Sequence, residues 1–137
     1  MSQTERVFEL RPHHVAINVP DIDAAIAWYG DVLGFEVEKR NFIRGAPGQN
    51  ALIKNRDFRL ELFQHEKITP RAEDASPSPP GTEMIGFRQL AFTVDDLRGF
   101  SDSLRRKKVD ITRERPDGTV LFIRDVAGNV IEFMSPG

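Results

Sequence analysis

The sequence predicts an α+β fold built from two βαβββ modules, and three observations carry that expectation. The chain repeats itself: His14-Val15-Ala16-Ile17-Asn18-Val19-Pro20-Asp21-Ile22 returns as Gln89-Leu90-Ala91-Phe92-Thr93-Val94-Asp95-Asp96-Leu97, and Asp57-Phe58-Arg59-Leu60-Glu61-Leu62-Phe63 returns as Gly128-Asn129-Val130-Ile131-Glu132-Phe133-Met134. Such a repeat constrains the architecture before any element is assigned. In both copies an alternating apolar run passes into a helical pattern and then into further strands. Finally, 137 residues suit one compact domain, 1–137, whereas halves of about sixty residues are marginal alone and must share a core or borrow one. The first module is expected over 11–66 and the second over 87–135.

Residues 12–19 alternate as a strand, with His13, Val15, Ile17 and Val19 on one face and His14, Ala16 and Asn18 on the other. Pro20-Asp21 opens a helix, with Asp21 as N-cap, apolar positions at Ile22, Ala25, Ile26, Tyr29 and Leu33, and Gly34 as the stop. Strands follow over Phe35–Ile43, Ala51–Lys54 and Arg59–His65, punctuated by Gly45-Ala46-Pro47-Gly48 and Asn55-Arg56-Asp57. The segment 67–86 reads as a Pro-rich linker.

The second module repeats that order. Gln89–Val94 is a strand, Asp95 or Asp96 caps a helix carrying Leu97, Phe100 and Leu104, and Val109–Arg115, Thr119–Arg124 and Val130–Met134 are strands. The basic run Arg105-Arg106-Lys107-Lys108 complements that helix's C-terminal dipole.

Composition excludes several classes. A net charge of −2 with mixed signs gives no nucleic-acid or basic membrane footprint. No run approaches the roughly 18 apolar residues of a membrane span, and the first residues lack a signal-peptide core. Cysteine is absent, which removes disulfides and thiolate metal sites. A cytoplasmic location is the expectation.

The faces then assign chemistry. Val15, Ile17, Val19, Leu90, Phe92, Val94, Leu60, Leu62, Ile131 and Phe133 go beneath the helices. His14, Gln89, Glu61, Phe63, His65, Val130, Glu132 and Met134 face the opposite, concave side. A buried carboxylate is costly unless it is paired, hydrogen-bonded or metal-bound, and two converging carboxylates are costlier. His13, Trp28 and Tyr29 read as packing residues; Phe42 and Phe122 are candidates for walls of the concavity, against the commoner reading of strand aromatics as core.

His-x-Ala-Ile-x-Val-x-Asp at His14–Asp21, Leu-Glu-Leu-Phe at Leu60–Phe63 and Asp-x-x-Gly-Asn-x-Ile-Glu-Phe at Asp125–Phe133 resemble the vicinal oxygen chelate superfamily, over roughly residues 11–135. That group includes glyoxalase I, methylmalonyl-CoA epimerase, extradiol dioxygenases, fosfomycin-resistance proteins and bleomycin-binding proteins. The resemblance implies a cupped half-barrel sheet with a divalent metal at its base, held by His14, Glu61, Gln89 and Glu132. Dioxygenase and fosfomycin-resistance relatives use two histidines and one glutamate, and Gln89 breaks that set. Eukaryotic glyoxalase I resembles this composition of one His, one Gln and two Glu, with the positions of His and Gln exchanged between modules.

An imidazole and three oxygens suit Zn²⁺, Ni²⁺, Mn²⁺ or Co²⁺. The resemblance therefore implies a metal-dependent lyase or isomerase working through an enolate on a small oxygenated substrate. Glu132 and Glu61 are the catalytic proton carriers, and Asn18, Phe63, His65 and Met134 line the substrate pocket. Asn18 and His65 stand where glyoxalase I relatives place an arginine and an asparagine, so glutathione recognition is not expected. A homodimer is implied. The rival readings are a metal-free binding protein of antibiotic type and, further off, an extradiol dioxygenase.

Overall fold

A computed structural model describes residues 6–41, 48–70 and 85–137. Two four-stranded mixed sheets, each carrying one helix, form an α+β fold, and no closed barrel forms among the described residues. The first module runs β1 (Val15–Asn18), α1 (Ile22–Leu33), β2 (Glu36–Arg40), β3 (Gln49–Asn55) and β4 (Phe58–Gln64). The second runs β5 (Leu90–Thr93), α2 (Leu97–Arg106), β6 (Arg113–Glu114), β7 (Val120–Arg124) and β8 (Val130–Met134). Strand order is β1-β4-β3-β2 in one sheet and β5-β8-β7-β6 in the other. Each module's first strand is therefore an edge strand, paired in parallel to its fourth.

The helices start and stop as their end residues dictate. Asp21, in extended conformation, accepts from the Ala24 amide at 3.0 Å, and Gly34 at φ 71° closes α1 by donating to the Gly30 carbonyl at 3.1 Å. The Ile22 amide, another free donor of the first turn, is taken by Gln64 Oε1 at 2.8 Å, which ties α1 to the end of β4. In α2 the cap is Asp96, accepting from Gly99 at 2.9 Å, and Arg105 and Arg106 sit in the last turn as the dipole favours.

Several strands are displaced from their expected bounds. The first is shorter than 12–19: Val15 lies opposite Leu60, so residues 12 and 13 reach or pass the start of β4 at Phe58. The expected strand Val109–Arg115 contracts to β6, because the Val109 amide bonds the Leu104 carbonyl and closes the helix instead of joining the sheet. Lys108 takes φ 57° to allow it. β3 is longer than Ala51–Lys54, and β2 carries a register shift between Val37 and Lys39. Phe42, part of the linker and the Gly45–Pro47 turn lie outside the described residues.

The two modules meet on their helix sides and share one apolar cluster. Leu60, Leu62, Ile131, Tyr29, Leu104 and Ile123 are fully buried within it, each large aliphatic contributing about 1.5–3 kcal/mol by burial. Phe58 of β4 packs edge-to-face on Phe92 of β5 with centroids 5.0 Å apart, and Phe100 of α2 lies 4.6 Å from Phe133. A polar contact crosses this core: the Tyr29 hydroxyl donates to Asp125 Oδ2 at 2.5 Å. Burial first, and then the Asp125 charge and hydrogen bond, push the Tyr29 hydroxyl far above the usual phenol range. Asp125 also accepts from the Ala127 and Asn129 amides and the Asn129 side chain, which shapes the turn before β8.

Candidate metal centre

The concave face of each sheet carries one polar pair built on the same register. Ala16 lies opposite Glu61 and Ala91 opposite Glu132, across the parallel pairing of first and fourth strands. Side chains two residues apart in a strand share a face. His14 and Gln89 each stand just before the strand, two residues ahead of its alanine, and reach past that methyl group to the glutamate alongside. The small alanine leaves the room in which imidazole or amide meets carboxylate.

In the first module His14 Nε2 lies 3.1 Å from Glu61 Oε2, with the two side chains 34% and 7% exposed. Leu60 and Leu62, the chain neighbours of Glu61, are fully buried on the other face. In the second module Gln89 Nε2 donates to Glu132 Oε1 at 2.9 Å, and both residues are half-buried. Two ligand atoms bonded to one ion at about 2.0–2.2 Å, at tetrahedral to octahedral angles, stand about 2.8–3.6 Å apart. Both separations fit that range. To ligate through Oε1, Gln89 must turn its amide over, since its NH₂ group faces the carboxylate here.

The structure brings each pair together but not all four. Among the described residues no group of three or more His, Asp or Glu side chains converges as a metal would need. The two pairs thus stand apart in one chain, each beside an edge strand that, among the described residues, bonds on one side only.

The expected pocket residues fall in line with the pairs. Asn18 lies opposite Phe63 and is exposed, while Phe63 and His65 stack with ring centroids 5.9 Å apart on the Glu61 side. Met134, half-buried, lies opposite Thr93 two residues beyond Glu132. Phe122 is the antiparallel neighbour of Glu132, where the first module has Leu52 beside Glu61.

Sequence reasoning missed three features. His13, read as packing on the helix side, instead sets its Nδ1 2.7 Å from Nδ1 of His14. The Tyr29–Asp125 contact had a partial signal in the Asp-x-x-Gly-Asn motif, which marks a turn but not its partner. A cavity of about 520 Å³ opens on the helix side between the modules, lined by Phe58, Phe92, Phe100 and Phe133 with Arg56 and Asp95, and it contains none of the four polar residues.

Paired βαβββ modules with a His–Glu and a Gln–Glu pair on matching strands define a class, and the family comparison agrees. The model of the Glyoxalase/Bleomycin resistance protein/Dioxygenase superfamily matches residues 11–133, and the chain belongs to that superfamily. It is 34% identical over 86 residues to the uncharacterized protein YaeR of Escherichia coli K12, a match spanning 62% of this chain and 61% of that protein. Among solved structures it is similar to a glyoxalase family protein from Enterococcus faecalis, at 26% identity and TM-score 0.73, covering 91% of this chain and 97% of the other. It is also similar to a lactoylglutathione lyase from Agrobacterium tumefaciens, at 27% identity and TM-score 0.59, covering 91% and 92%. No helix among the described residues is long and apolar enough to cross a membrane.

Proposed function

We propose that the chain is a divalent-metal-dependent lyase or isomerase of the glyoxalase type. Its metal centre assembles between the His14–Glu61 pair of one copy and the Gln89–Glu132 pair of a second copy. The observation that carries this reading is the matched register of the two pairs, each a half-set of ligands at ligand–ligand spacing on a free sheet edge. Unpaired edges attract further chains unless they are covered. Exposed apolar residues precede both edge strands, Val7, Phe8 and Leu10 before β1 and Ile85 and Phe87 before β5. A second copy covers both features and completes the ligand set, giving a homodimer with isologous contacts.

His14, Glu61, Gln89 and Glu132 would hold the divalent ion, which would supply Lewis acidity toward an oxygenated substrate and so ease the loss of a carbon-bound proton. The chain's own residues do the rest. His14 orients Glu61 from the edge strand, and the buried position of Glu61 keeps its carboxylate out of bulk water. Glu61 and Glu132 approach the substrate from opposite half-sites, so one, as a carboxylate, takes the carbon proton, and the other, protonated at the start, gives its own proton to the adjacent carbon or the opposite face. Phe63, His65 and Met134 wall the site against water. Asn18 offers no charge to a substrate carboxylate, which disfavours lactoylglutathione as the substrate.

Metal analysis on protein purified without added metal tests the reading. The expected result is substoichiometric to full occupancy by one divalent ion per site, with uptake on reconstitution. Less than about a tenth of an equivalent and no uptake contradicts it, and favours the metal-free binding protein, in which Gln89 simply satisfies Glu132.

A further inference from the structure

His13 is used by neither the repeat nor the chemistry above. Its Nδ1 lies 2.7 Å from Nδ1 of His14, and the two rings meet edge to face with centroids 5.0 Å apart. At that separation one nitrogen must donate and the other accept. The other nitrogen of His14 is already turned to Glu61 at 3.1 Å. The His14 ring is therefore held at both ends, and the second module has no counterpart, since Arg88 precedes Gln89.

We propose that His13 is a positioning residue that aims Nε2 of His14 at Glu61 and the metal, through the hydrogen bond between the two Nδ1 atoms. The proposal rests on His14 being a metal ligand. With one proton on each ring and no metal, the Nε2–H of His14 faces the Glu61 carboxylate, so Nδ1 of His14 accepts and Nδ1–H of His13 donates. Offering the Nε2 lone pair to a cation requires that Nε2 proton to leave to water. The His13 Nδ1 proton then passes to His14 Nδ1, and His13 takes a proton from water on its own Nε2. The two rings carry the same number of protons before and after. The hydrogen bond survives and reverses, leaving His14 a donor at Nδ1, as ligating histidines commonly are. His14 is 34% exposed at its side chain, so water can accept from Nδ1 in the absence of His13, but it cannot fix the ring plane.

The test uses Zn²⁺ alone as probe, with ¹⁵N-detected imidazole spectra that three histidines keep simple to assign. Chelator competition should show Zn²⁺ binding weakened by about 10–100-fold in His13→Leu, and restored to within about threefold of wild type in His13→Asn, whose Oδ1 takes the place of the lost acceptor. In wild type, His14 should carry its proton on Nε2 without metal and on Nδ1 with Zn²⁺, and His13 should change in the opposite sense. Equal Zn²⁺ affinity in wild type and His13→Leu overturns the role of His13, as does an unchanged His13 tautomer on loading. Absence of Zn²⁺ uptake by wild type, with the metal-free pairing intact, overturns the metal reading itself and the ligation role with it.

Discussion

The first module sets an imidazole beside a glutamate that is nearly sealed from solvent, and the second sets an amide beside a glutamate that is half-buried. Beneath them the scaffold is the same, with Ala16 and Ala91 in the same register to Glu61 and Glu132. The difference lies in the donor chemistry and its surroundings. Leu52 flanks Glu61 where Phe122 flanks Glu132, and His14 has a second partner in His13 where Gln89 has none of that kind. Duplication gives two equivalent places to put a ligand, and the side chains make them unequal. One pair offers an imidazole beside a nearly sealed carboxylate, and the other an amide beside a half-buried one.

Removing a ligand from either half should have the largest effect. His14→Ala and Glu132→Ala are each expected to weaken Mn²⁺ or Zn²⁺ binding by about 100-fold or more, read by calorimetric titration, because a three-ligand remnant loses a strong donor. If only the first-module variant matters, the halves do not share an ion. Next comes Gln89→His, which makes the donors of the two modules alike. Imidazole is a better ligand than an amide for these metals, so affinity should rise by about tenfold. No change would show that Gln89 is outside the coordination shell.

The buried polar contact between Tyr29 and Asp125 offers a third test. Tyr29→Phe removes the donor to Asp125 and is expected to cost about 1.5–3 kcal/mol in denaturant unfolding, since the acceptor is charged and buried. The sign with pH follows from the raised pKa of the hydroxyl. The protonated form is favoured in the fold, so this stability is complete below the ordinary phenol value near 10 and is lost as pH rises above it. Wild type should therefore lose stability more steeply above pH 10 than Tyr29→Phe, by up to about 1.4 kcal/mol per pH unit.

The smallest effects come from the two helix ends. At φ 71° a Cβ at Gly34 would meet Asn55 Nδ2 at an ordinary 3.6 Å, so the strain of Gly34→Ala is in the backbone alone. A loss of about 1 kcal/mol is expected, read by thermal unfolding. Lys108 sits at φ 57° after α2, and Lys108→Gly should gain about 0.5–1 kcal/mol by the same reasoning. Together they show whether the second helix is the less well-terminated copy.

Much of the fold was legible because strand and helix periods differ and each occurs twice. The caps Asp21 and Gly34 were legible because their side-chain or backbone chemistry is local, whereas for α2 the sequence offered Asp95 or Asp96 and the fold selects Asp96. Alternation along the strands put His14, Glu61, Gln89 and Glu132 on one face, the resemblance implied that they belong together, and the pairing within each module comes from the parallel register of first and fourth strands. Where a strand ends was not legible. The fate of Val109 depends on whether its amide bonds a helix carbonyl or a neighbouring strand, and that choice is tertiary. His13 was misplaced because alternation extends only as far as the strand does, and β1 begins at Val15. The Tyr29–Asp125 contact joins residues from opposite modules, which no local pattern connects.

The central claim is that the two half-sites form one centre across two copies. It is tested most directly by purifying a mixed dimer of Glu61→Ala and Glu132→Ala chains through two different affinity tags. If the site is shared, one of the two centres in that dimer keeps all its ligands and the other loses both glutamates. The account predicts no metal on either variant alone and one divalent ion per mixed dimer. A mixed dimer that binds no metal, while wild type does, would contradict it.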